Sequence, residues 1–202
     1  MVKIEVLECN PHEVVVHGVD PLKGFFDFGM LADPRMHRIT VNMVGLNEEL
    51  VEKKKCEGFI TADNHERGDP ELEKLPEHCM NGSAEAQIID ALEKFGLYAM
   101  KKRTTNSFIG TKLLSYLAQQ QPRAVVVYGV CSNICVLQAV VTYSFIAREY
   151  DLEKIVVPLD CTTTFGDDFK IQDQIVAGIL RNVPRVEVIP SYRNLGDVLE
   201  IN

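Results

Sequence analysis

One cysteine of this chain follows a strand-like apolar run at a position suited to nucleophilic chemistry. Cys135 stands in the sequence GVCSNICV, directly after the run 124–130 and inside the predicted first turn of the next helix. Ser132 or Asn133 can cap such a helix, and the free amides and dipole of a helix start lower the pKa of a nearby thiol. The pattern therefore predicts a reactive thiolate, against the simpler interpretation of Cys135 as a small buried apolar residue.

Two charged residues at other predicted strand ends can assist that thiol. Lys102 ends a predicted strand, where its ammonium group would favour the thiolate, although the adjacent Lys101 fits the same spacing. Asp20 follows another buried run and can take the thiol proton and return it to a leaving amine. Each has a plain alternative, since strand ends commonly carry solvated lysines and Asp–Pro pairs commonly form turns.

A second group of residues has the chemistry of a metal site. Asp63 and His65 form an Asp-x-His pattern at the end of a third predicted strand, and His78 follows thirteen residues after His65. Two imidazoles and one carboxylate, with further positions left open, suit a divalent metal: zinc first, with iron or manganese as alternatives. Asp-x-His alone is a weak signal, because loop Asp and His residues often serve as caps and surface groups.

The elements that must position these residues alternate along the chain. Short apolar runs rich in β-branched residues predict six strands, at 14–19, 58–62, 97–100, 124–130, 155–159 and 186–189. Helical spacing predicts helices at 40–55, 83–95, 107–119, 133–149 and 171–182. This alternation predicts one α/β domain over residues 1–202, with a doubly wound, mostly parallel six-stranded sheet and helices on both faces. Ligands of such sheets bind at the carboxyl ends of the strands, where the candidate residues stand.

Composition and charge narrow the partners and the compartment. The chain has 29 acidic and 21 basic residues, for a net charge of −8, so it lacks the basic surface of a nucleic-acid binder. No apolar stretch is long enough for a membrane span, and the N-terminus lacks the zones of a signal peptide. We therefore expect a cytoplasmic protein whose six cysteines remain reduced.

Three motifs along the chain resemble those of the isochorismatase-like cysteine hydrolases. The first begins at Asp20 and continues with an aromatic residue at Phe25 and a leucine at Leu31. The second is SFIGTKL at 107–113, and the third is GVCSNICV at 129–136. Together they cover most of the chain, and the resemblance implies the isochorismatase-like form of the doubly wound fold.

The resemblance also implies roles for individual residues. In the family the catalytic lysine stands six positions before the phenylalanine of the second motif, which selects Lys102 over Lys101. Asp20, Lys102 and Cys135 would then form a catalytic triad around a cysteine nucleophile. The backbone amides of Cys131 and Cys135 would form the oxyanion hole, and the peptide bond before Cys131 would be cis.

Within the family the chain is most similar to the nicotinamidase branch. Asp63, His65 and His78 match the metal ligands of that branch, whose divalent metal binds the ring nitrogen of the substrate. Phe25 and Leu75 would line the pocket for the ring, although Leu75 stands where an aromatic residue is usual. The resemblance thus implies a metal-dependent amidase that converts nicotinamide to nicotinate and ammonia.

Two further departures from that branch keep other functions open. Glu71 stands where some nicotinamidases carry an additional histidine, and the residues after Asp20 read Leu-Lys-Gly at 22–24 instead of Gln-Asn-Asp. The first alternative is hydrolysis of another small amide, such as a carbamoyl or ureido compound. An isochorismatase-type vinyl-ether hydrolase and a catalytically silent binding protein are the remaining alternatives. Family members often form closed assemblies, so we also expect a homo-oligomer.

Overall fold

A parallel sheet carries the residues singled out above. The computed structural model describes residues 5–202, which contain eight strands: β1 (Leu7–Cys9), β2 (Val14–Val19), β3 (Glu57–Asp63), β4 (Tyr98–Lys102), β5 (Ala124–Gly129), β6 (Lys154–Pro158), β7 (Val186–Ile189) and β8 (Leu199–Ile201). Six of them form one sheet in the order β4-β3-β2-β5-β6-β7, and every neighbouring pair is parallel. The predicted fold class and its six strands are therefore confirmed. The short β1 and β8 pair with each other and lie outside this sheet.

Helices cover both faces of the sheet. They are α1 (Lys23–Phe26), α2 (Thr40–Asn47), α3 (Asp90–Glu93), α4 (Leu113–Gln120), α5 (Leu137–Ile146) and α6 (Phe169–Leu180). Two predicted helices contain π-helical segments, Glu48–Lys53 after α2 and Ser132–Val136 before α5. None of the helices within residues 5–202 is both long enough and apolar enough to cross a bilayer.

The predicted helix at 83–95 is wrong as a continuous element. It consists of a short 3-10 turn, Ala84–Ala86, and the single turn of α3. Between them the backbone runs alongside the segment after β2, because Ile89 N–H donates to the Pro21 carbonyl at 3.0 Å and Lys23 N–H donates to Gln87 at 2.8 Å. Pairing with this neighbouring segment replaces the hydrogen bonds of a helix, and it holds the chain that follows Asp20.

Side chains of the central strands alternate between two hydrophobic cores. On β2, Val14 and Val16 pack in the core under α1 and α2, whereas Val15 and Val19 pack in the core under α4, α5 and α6. This alternation follows from the two-residue period of a strand. Because both faces are covered, the strands are apolar throughout, which is why they could be recognised as continuous runs.

The ends of β2 and β5 are locked together at the point where the strand order reverses. Gly129 ends β5 with a φ of +121°, and a Cβ there would overlap the carbonyl oxygen of Val19. The next residue, Val130, donates its N–H to the same carbonyl at 2.9 Å. Only glycine permits this close approach. The segment that leads from β5 to Cys135 therefore begins beside the segment that leads from β2 to Asp20.

A buried histidine within the sheet makes the fold sensitive to acid. His17 on β2 is fully buried, stacks on Phe59, and has Thr61 Oγ1 at 2.9 Å and the Tyr143 hydroxyl at 3.1 Å from its ring nitrogens. Burial, with the Lys102 charge as a lesser cause, lowers the pKa of His17 from 6.5 to about 3. The folded protein therefore keeps this ring neutral at pH values where the unfolded chain protonates it.

We expect His17 to cost stability as the pH falls. Its contribution is intact above about pH 6.5 and declines toward pH 3, because the unfolded chain alone binds the proton in this range. Between pH 7 and pH 4.5 the loss from this group is on the order of 2–3 kcal/mol. Urea unfolding at several pH values should show that the free energy of unfolding of His17→Gln depends less on pH than that of the wild type. The control His12→Gln, which removes an exposed histidine, should keep the wild-type dependence. Equal dependence in both variants would contradict this assignment.

Candidate active site and metal cluster

The predicted catalytic residues lie together at the carboxyl edge of the sheet. Asp20 follows β2, Lys102 ends β4, and the turn that carries Cys135 follows β5. Asp63 ends β3, which lies between β2 and β4. Since these four strands are parallel neighbours, residues separated by more than a hundred positions along the chain converge at one place.

Lys102 is the centre of this group. Its Nζ atom lies 2.8 Å from Asp20 Oδ2 and 2.5 Å from Asp63 Oδ1. The same ammonium group lies 3.8 Å from the sulfur of Cys135. Lys101, on the opposite face of the strand, is exposed. The structure therefore resolves the ambiguity between the two lysines by placing Lys102 in contact with both carboxylates and with the thiol.

Burial and charge shift the proton affinities of these groups. Complete burial, reinforced by the Asp63 charge, raises the pKa of Asp20 to about 7 against the opposing effect of Lys102. Burial also acts to raise the pKa of Asp63, but the Lys102 charge holds it below its ordinary value. Burial disfavours the charge on Lys102, yet its two carboxylate neighbours raise its pKa well above the ordinary value. Lys102 therefore stays protonated, while Asp20 can exchange a proton near neutral pH.

The turn Ser132–Val136 presents the candidate nucleophile. It is π-helical, begins directly after Cys131 and continues into α5. The peptide bond between Val130 and Cys131 is cis, as the resemblance implies. The Cys131 amide directly precedes this turn and the Cys135 amide lies within it. Their function as an oxyanion hole stays a prediction.

Tertiary contacts, and not the predicted helix cap, hold this turn in place. No side chain caps it. Ser132 Oγ donates instead to Asp173 Oδ1 on α6 at 2.5 Å, and Ser132 N–H donates to the Thr163 carbonyl at 2.8 Å. Asn133 Oδ1 accepts a hydrogen bond from Thr164 Oγ1 at 2.8 Å. The chain after β6 and the start of α6 thus anchor the turn, through residues that the sequence alone did not single out.

The Cys135 thiol is protonated in the resting site, which corrects the expected resting thiolate. Its residue is 4 % exposed, and this burial raises the pKa of the thiol well above its ordinary value although the Lys102 charge acts in the opposite direction. A base must then remove the proton during the reaction. A carboxylate oxygen of Asp20 lies within 4.8 Å of the sulfur, so Asp20 is placed to act as this base.

A four-residue cluster adjoins the triad candidates. Asp63, His65, Glu71 and His78 each present one ligand atom, and these atoms lie within 4.8 Å of one another. His65 Nε2 is 3.5 Å from Asp63 Oδ1, and His78 Nε2 is 3.8 Å from Asp63 Oδ2. Both imidazole Nε2 atoms lie 3.8 Å from a carboxylate oxygen of Glu71. Asp63 is shared between the two groups, since its Oδ1 also contacts Lys102.

The donor atoms of this cluster fit a divalent metal. Within residues 5–202, buried Asp63 Oδ2, His65 Nε2, Glu71 Oε2 and His78 Nε2 have no hydrogen-bond partner. Leaving such atoms unsatisfied is costly unless something binds them. Ligands of a tetrahedral zinc at about 2.1 Å are separated by about 3.4 Å, close to the spacings found here. Two imidazoles and two carboxylates form a donor set that also suits iron or manganese.

Glu71 is the ligand candidate that the sequence analysis missed. It lies in the 3-10 turn Pro70–Glu73, which follows β3 and directs its carboxylate toward His65 and His78. Burial, together with the nearby charge of Asp63, raises the pKa of Glu71. The available signal was its position six residues after His65, where the related branch can carry a histidine. A carboxylate there would replace one kind of metal ligand by another.

The two residues predicted to line a ring pocket differ in their placement. Phe25 on α1 is buried, and its ring centroid lies 5.7 Å from that of His78, beside the metal cluster. Leu75 is half-buried at the end of the turn that begins with Pro70, and its N–H donates to the Glu71 carbonyl at 3.1 Å. Phe25 therefore adjoins the cluster directly, whereas the function of Leu75 in binding stays a prediction.

Solved structures of known proteins share this fold. The pyrazinamidase/nicotinamidase of Streptococcus mutans UA159 superposes with a TM-score of 0.76 at 22% identity, over 87% of this chain and 99% of that one. The N-carbamoylsarcosine amidase of Thermoplasma acidophilum superposes with a TM-score of 0.70 at 23% identity, over 87% and 94% of the two chains. These likenesses establish the fold.

Sequence comparison identifies the family. A curated relative, the uncharacterized isochorismatase family protein YaaI of Bacillus subtilis (strain 168), is 23% identical over 171 residues, covering 84% of this chain and 90% of YaaI. The Isochorismatase domain family matches residues 14–177, which include every candidate residue of the triad and of the metal cluster. The chain belongs to the isochorismatase family.

Proposed function

We propose that this protein is a metal-dependent amidase that hydrolyses nicotinamide to nicotinate and ammonia through a cysteine thioester. The observation that carries the proposal is the double contact of Asp63. One of its oxygens contacts Lys102 of the triad, and the other faces His78 in a cluster of unsatisfied ligand atoms. A metal held there would lie near the nucleophile, because a carboxylate oxygen of Asp63 lies within 4.8 Å of the Cys135 sulfur. A substrate with a ring nitrogen and a carboxamide could then contact both.

The position of Phe25 supports an aromatic substrate. Its ring lies beside His78 at the rim of the cluster, where a flat pyridine ring could pack against it. A divalent ion bound by the cluster would supply a Lewis-acidic contact to the pyridine nitrogen. Together these contacts would direct the carboxamide of the substrate toward Cys135.

The protein side chains account for the proton transfers of the reaction. Asp20 takes the proton from the Cys135 sulfur as the sulfur bonds to the carboxamide carbon, and the carbonyl oxygen becomes an oxyanion facing the amides of Cys131 and Cys135. Asp20 then gives the proton to the amide nitrogen, the carbon–nitrogen bond breaks, and ammonia leaves. Asp20 next takes a proton from a water that attacks the thioester, which releases nicotinate and restores the thiol. Lys102 remains protonated and holds Asp20 in place.

A second candidate function is hydrolysis of a carbamoyl or ureido compound. The fold shared with an N-carbamoylsarcosine amidase favours this reading, as do Leu75 and the sequence Leu-Lys-Gly at 22–24, which depart from the nicotinamidase pattern. The same triad chemistry would release ammonia from such a substrate. The complete set of metal ligands favours nicotinamide, because a carbamoyl group brings no ring nitrogen to the cluster.

Ammonia release from nicotinamide tests the proposal. We expect zinc- or manganese-loaded protein to release ammonia steadily from nicotinamide, chelator-treated protein to lose most of this activity, and added metal to restore it. N-carbamoyl amino acids serve as the comparison substrates. If the metal-loaded protein releases ammonia from these compounds and none from nicotinamide, the nicotinamidase assignment fails and the second candidate takes its place.

A further inference from the structure

A buried carboxylate outside the ligand set contacts one of the metal-ligand candidates from behind. Asp69 is 4 % exposed, and its Oδ2 lies 3.2 Å from Nδ1 of His65. The other ring nitrogen of His65, Nε2, faces the cluster. A carboxylate at Nδ1 accepts the proton of that nitrogen, so the lone pair of the neutral ring is left on Nε2.

A second residue fixes Asp69 itself. The Arg103 guanidinium donates from Nη2 to Asp69 Oδ1 at 2.5 Å, and its Nε lies 3.0 Å from Oδ1 and 3.2 Å from Oδ2. The Glu66 N–H adds a hydrogen bond to Oδ2 at 2.9 Å. Such a two-pronged arginine contact restricts both the position and the rotation of a carboxylate. Arg103 is also the chain neighbour of Lys102, so the end of β4 contacts both the triad and this carboxylate.

We propose that Asp69 and Arg103 are positioning residues for the metal, acting through His65. Asp69 orients the imidazole and keeps its proton on Nδ1, and Arg103 holds Asp69 against the ring. The inference rests on the proposed function in one respect, that a divalent ion occupies the Asp63, His65, Glu71 and His78 cluster.

The charges around the cluster agree with this role. Asp63 and Glu71 are the two carboxylates that would face a divalent ion, and Asp63 also pairs with Lys102. A third carboxylate, Asp69, would add an uncompensated negative charge, but Arg103 neutralises it at contact distance. Asp69 can therefore strengthen the donor character of His65 without changing the net charge of the site.

The second imidazole of the cluster offers an internal comparison. His78 Nδ1 contacts the carbonyl oxygen of Pro76 at 2.9 Å, so its Nε2 is likewise directed to the cluster. There a neutral backbone carbonyl performs the orienting function, which no side-chain substitution can remove. His65 depends on a side chain instead, and this makes its contribution open to mutation.

Metal affinity measures the effect without reference to catalysis. We expect Asp69→Ala to weaken zinc binding about 100-fold and Asp69→Asn, which keeps an acceptor for Nδ1, about 10-fold, measured by competition with a chromogenic chelator. Arg103→Ala should weaken it about 10-fold, because Asp69 then loses its anchor. The absorption spectrum of bound cobalt should also change in these variants, since it reports the geometry around the ion.

Matched controls separate positioning from general loss of structure. Arg67→Ala removes an exposed arginine from the segment that carries Asp69. Arg67 pairs with Glu77 and not with Asp69, so this variant should leave zinc affinity unchanged. The metal-free forms of Asp69→Asn and Arg103→Ala lose part of a buried ion pair and should melt at a lower temperature than metal-free wild-type protein, but they should keep its circular dichroism spectrum and a single cooperative transition. Wild-type zinc affinity in all the Asp69 and Arg103 variants would overturn the inference while leaving the proposed function intact. Failure of wild-type protein to bind zinc, cobalt or manganese would overturn the metal site on which both depend.

Discussion

Replacing Cys135 with alanine is expected to lower kcat for amide hydrolysis on the order of 10⁴- to 10⁶-fold, as for the removal of other triad nucleophiles. The thioester route has no first step without the sulfur, whereas Asp20 and Lys102 keep their contact with each other. Metal affinity should be unchanged, because no ligand candidate is altered. Ammonia release under saturating nicotinamide, combined with a metal-binding titration of the same sample, measures both quantities.

A second cysteine variant tests whether the loss of activity is specific to Cys135. Cys56→Ala removes a second buried thiol, which precedes β3 and therefore lies at the opposite edge of the sheet from the site. It should keep kcat within a few-fold of wild type and cost about 1 kcal/mol of stability. Retention of a tenth or more of the activity by Cys135→Ala would exclude the thioester route, and amide hydrolysis without a covalent intermediate would take its place.

The central strands β2, β5 and β6 were predictable because each is buried on both faces. A run such as 124–130 is continuous and β-branched, which separates it from the surrounding amphipathic segments. The helix predicted at 83–95 was wrong for a related reason. Its apolar residues Ile88 and Ile89 pack as part of a segment bonded to the chain after β2, and their spacing alone does not distinguish that contact from a helical face.

The catalytic candidates could be predicted because each is a residue type capable of acid–base or nucleophilic chemistry and stands at or just after the end of a predicted strand. Asp20, Lys102 and Cys135 converge because parallel strands end at one edge, a consequence of topology. Glu71 was not predicted as a metal ligand, because it lies on an irregular turn whose direction depends on tertiary contacts. The pKa of Cys135 was predicted in the wrong direction, because a helix start and a nearby lysine can be inferred from a sequence whereas the depth of burial cannot.

The stability of the site depends on a single buried cation. Lys102 is fully buried with Asp20 and Asp63, so one ammonium group compensates two carboxylates that have left water. Breaking a buried ion pair by removing one partner costs about 3–5 kcal/mol, since the remaining charge stays buried without compensation. We therefore expect Lys102→Met, which keeps most of the side-chain volume, to lower the free energy of unfolding by about 3–5 kcal/mol.

Urea unfolding in the presence of a chelator measures this loss, and two comparisons test its cause. Lys101→Met removes an exposed lysine from the same strand and should change stability by less than about 0.5 kcal/mol. Adding Asp63→Asn to Lys102→Met removes the carboxylate whose charge depends most on the lysine, so the double variant should recover part of the lost stability. If the double variant is no more stable than Lys102→Met, the cost comes from lost packing around the lysine stem and not from uncompensated carboxylates. Recovery would show that the charge balance between Lys102 and its two carboxylate neighbours also maintains this edge of the fold.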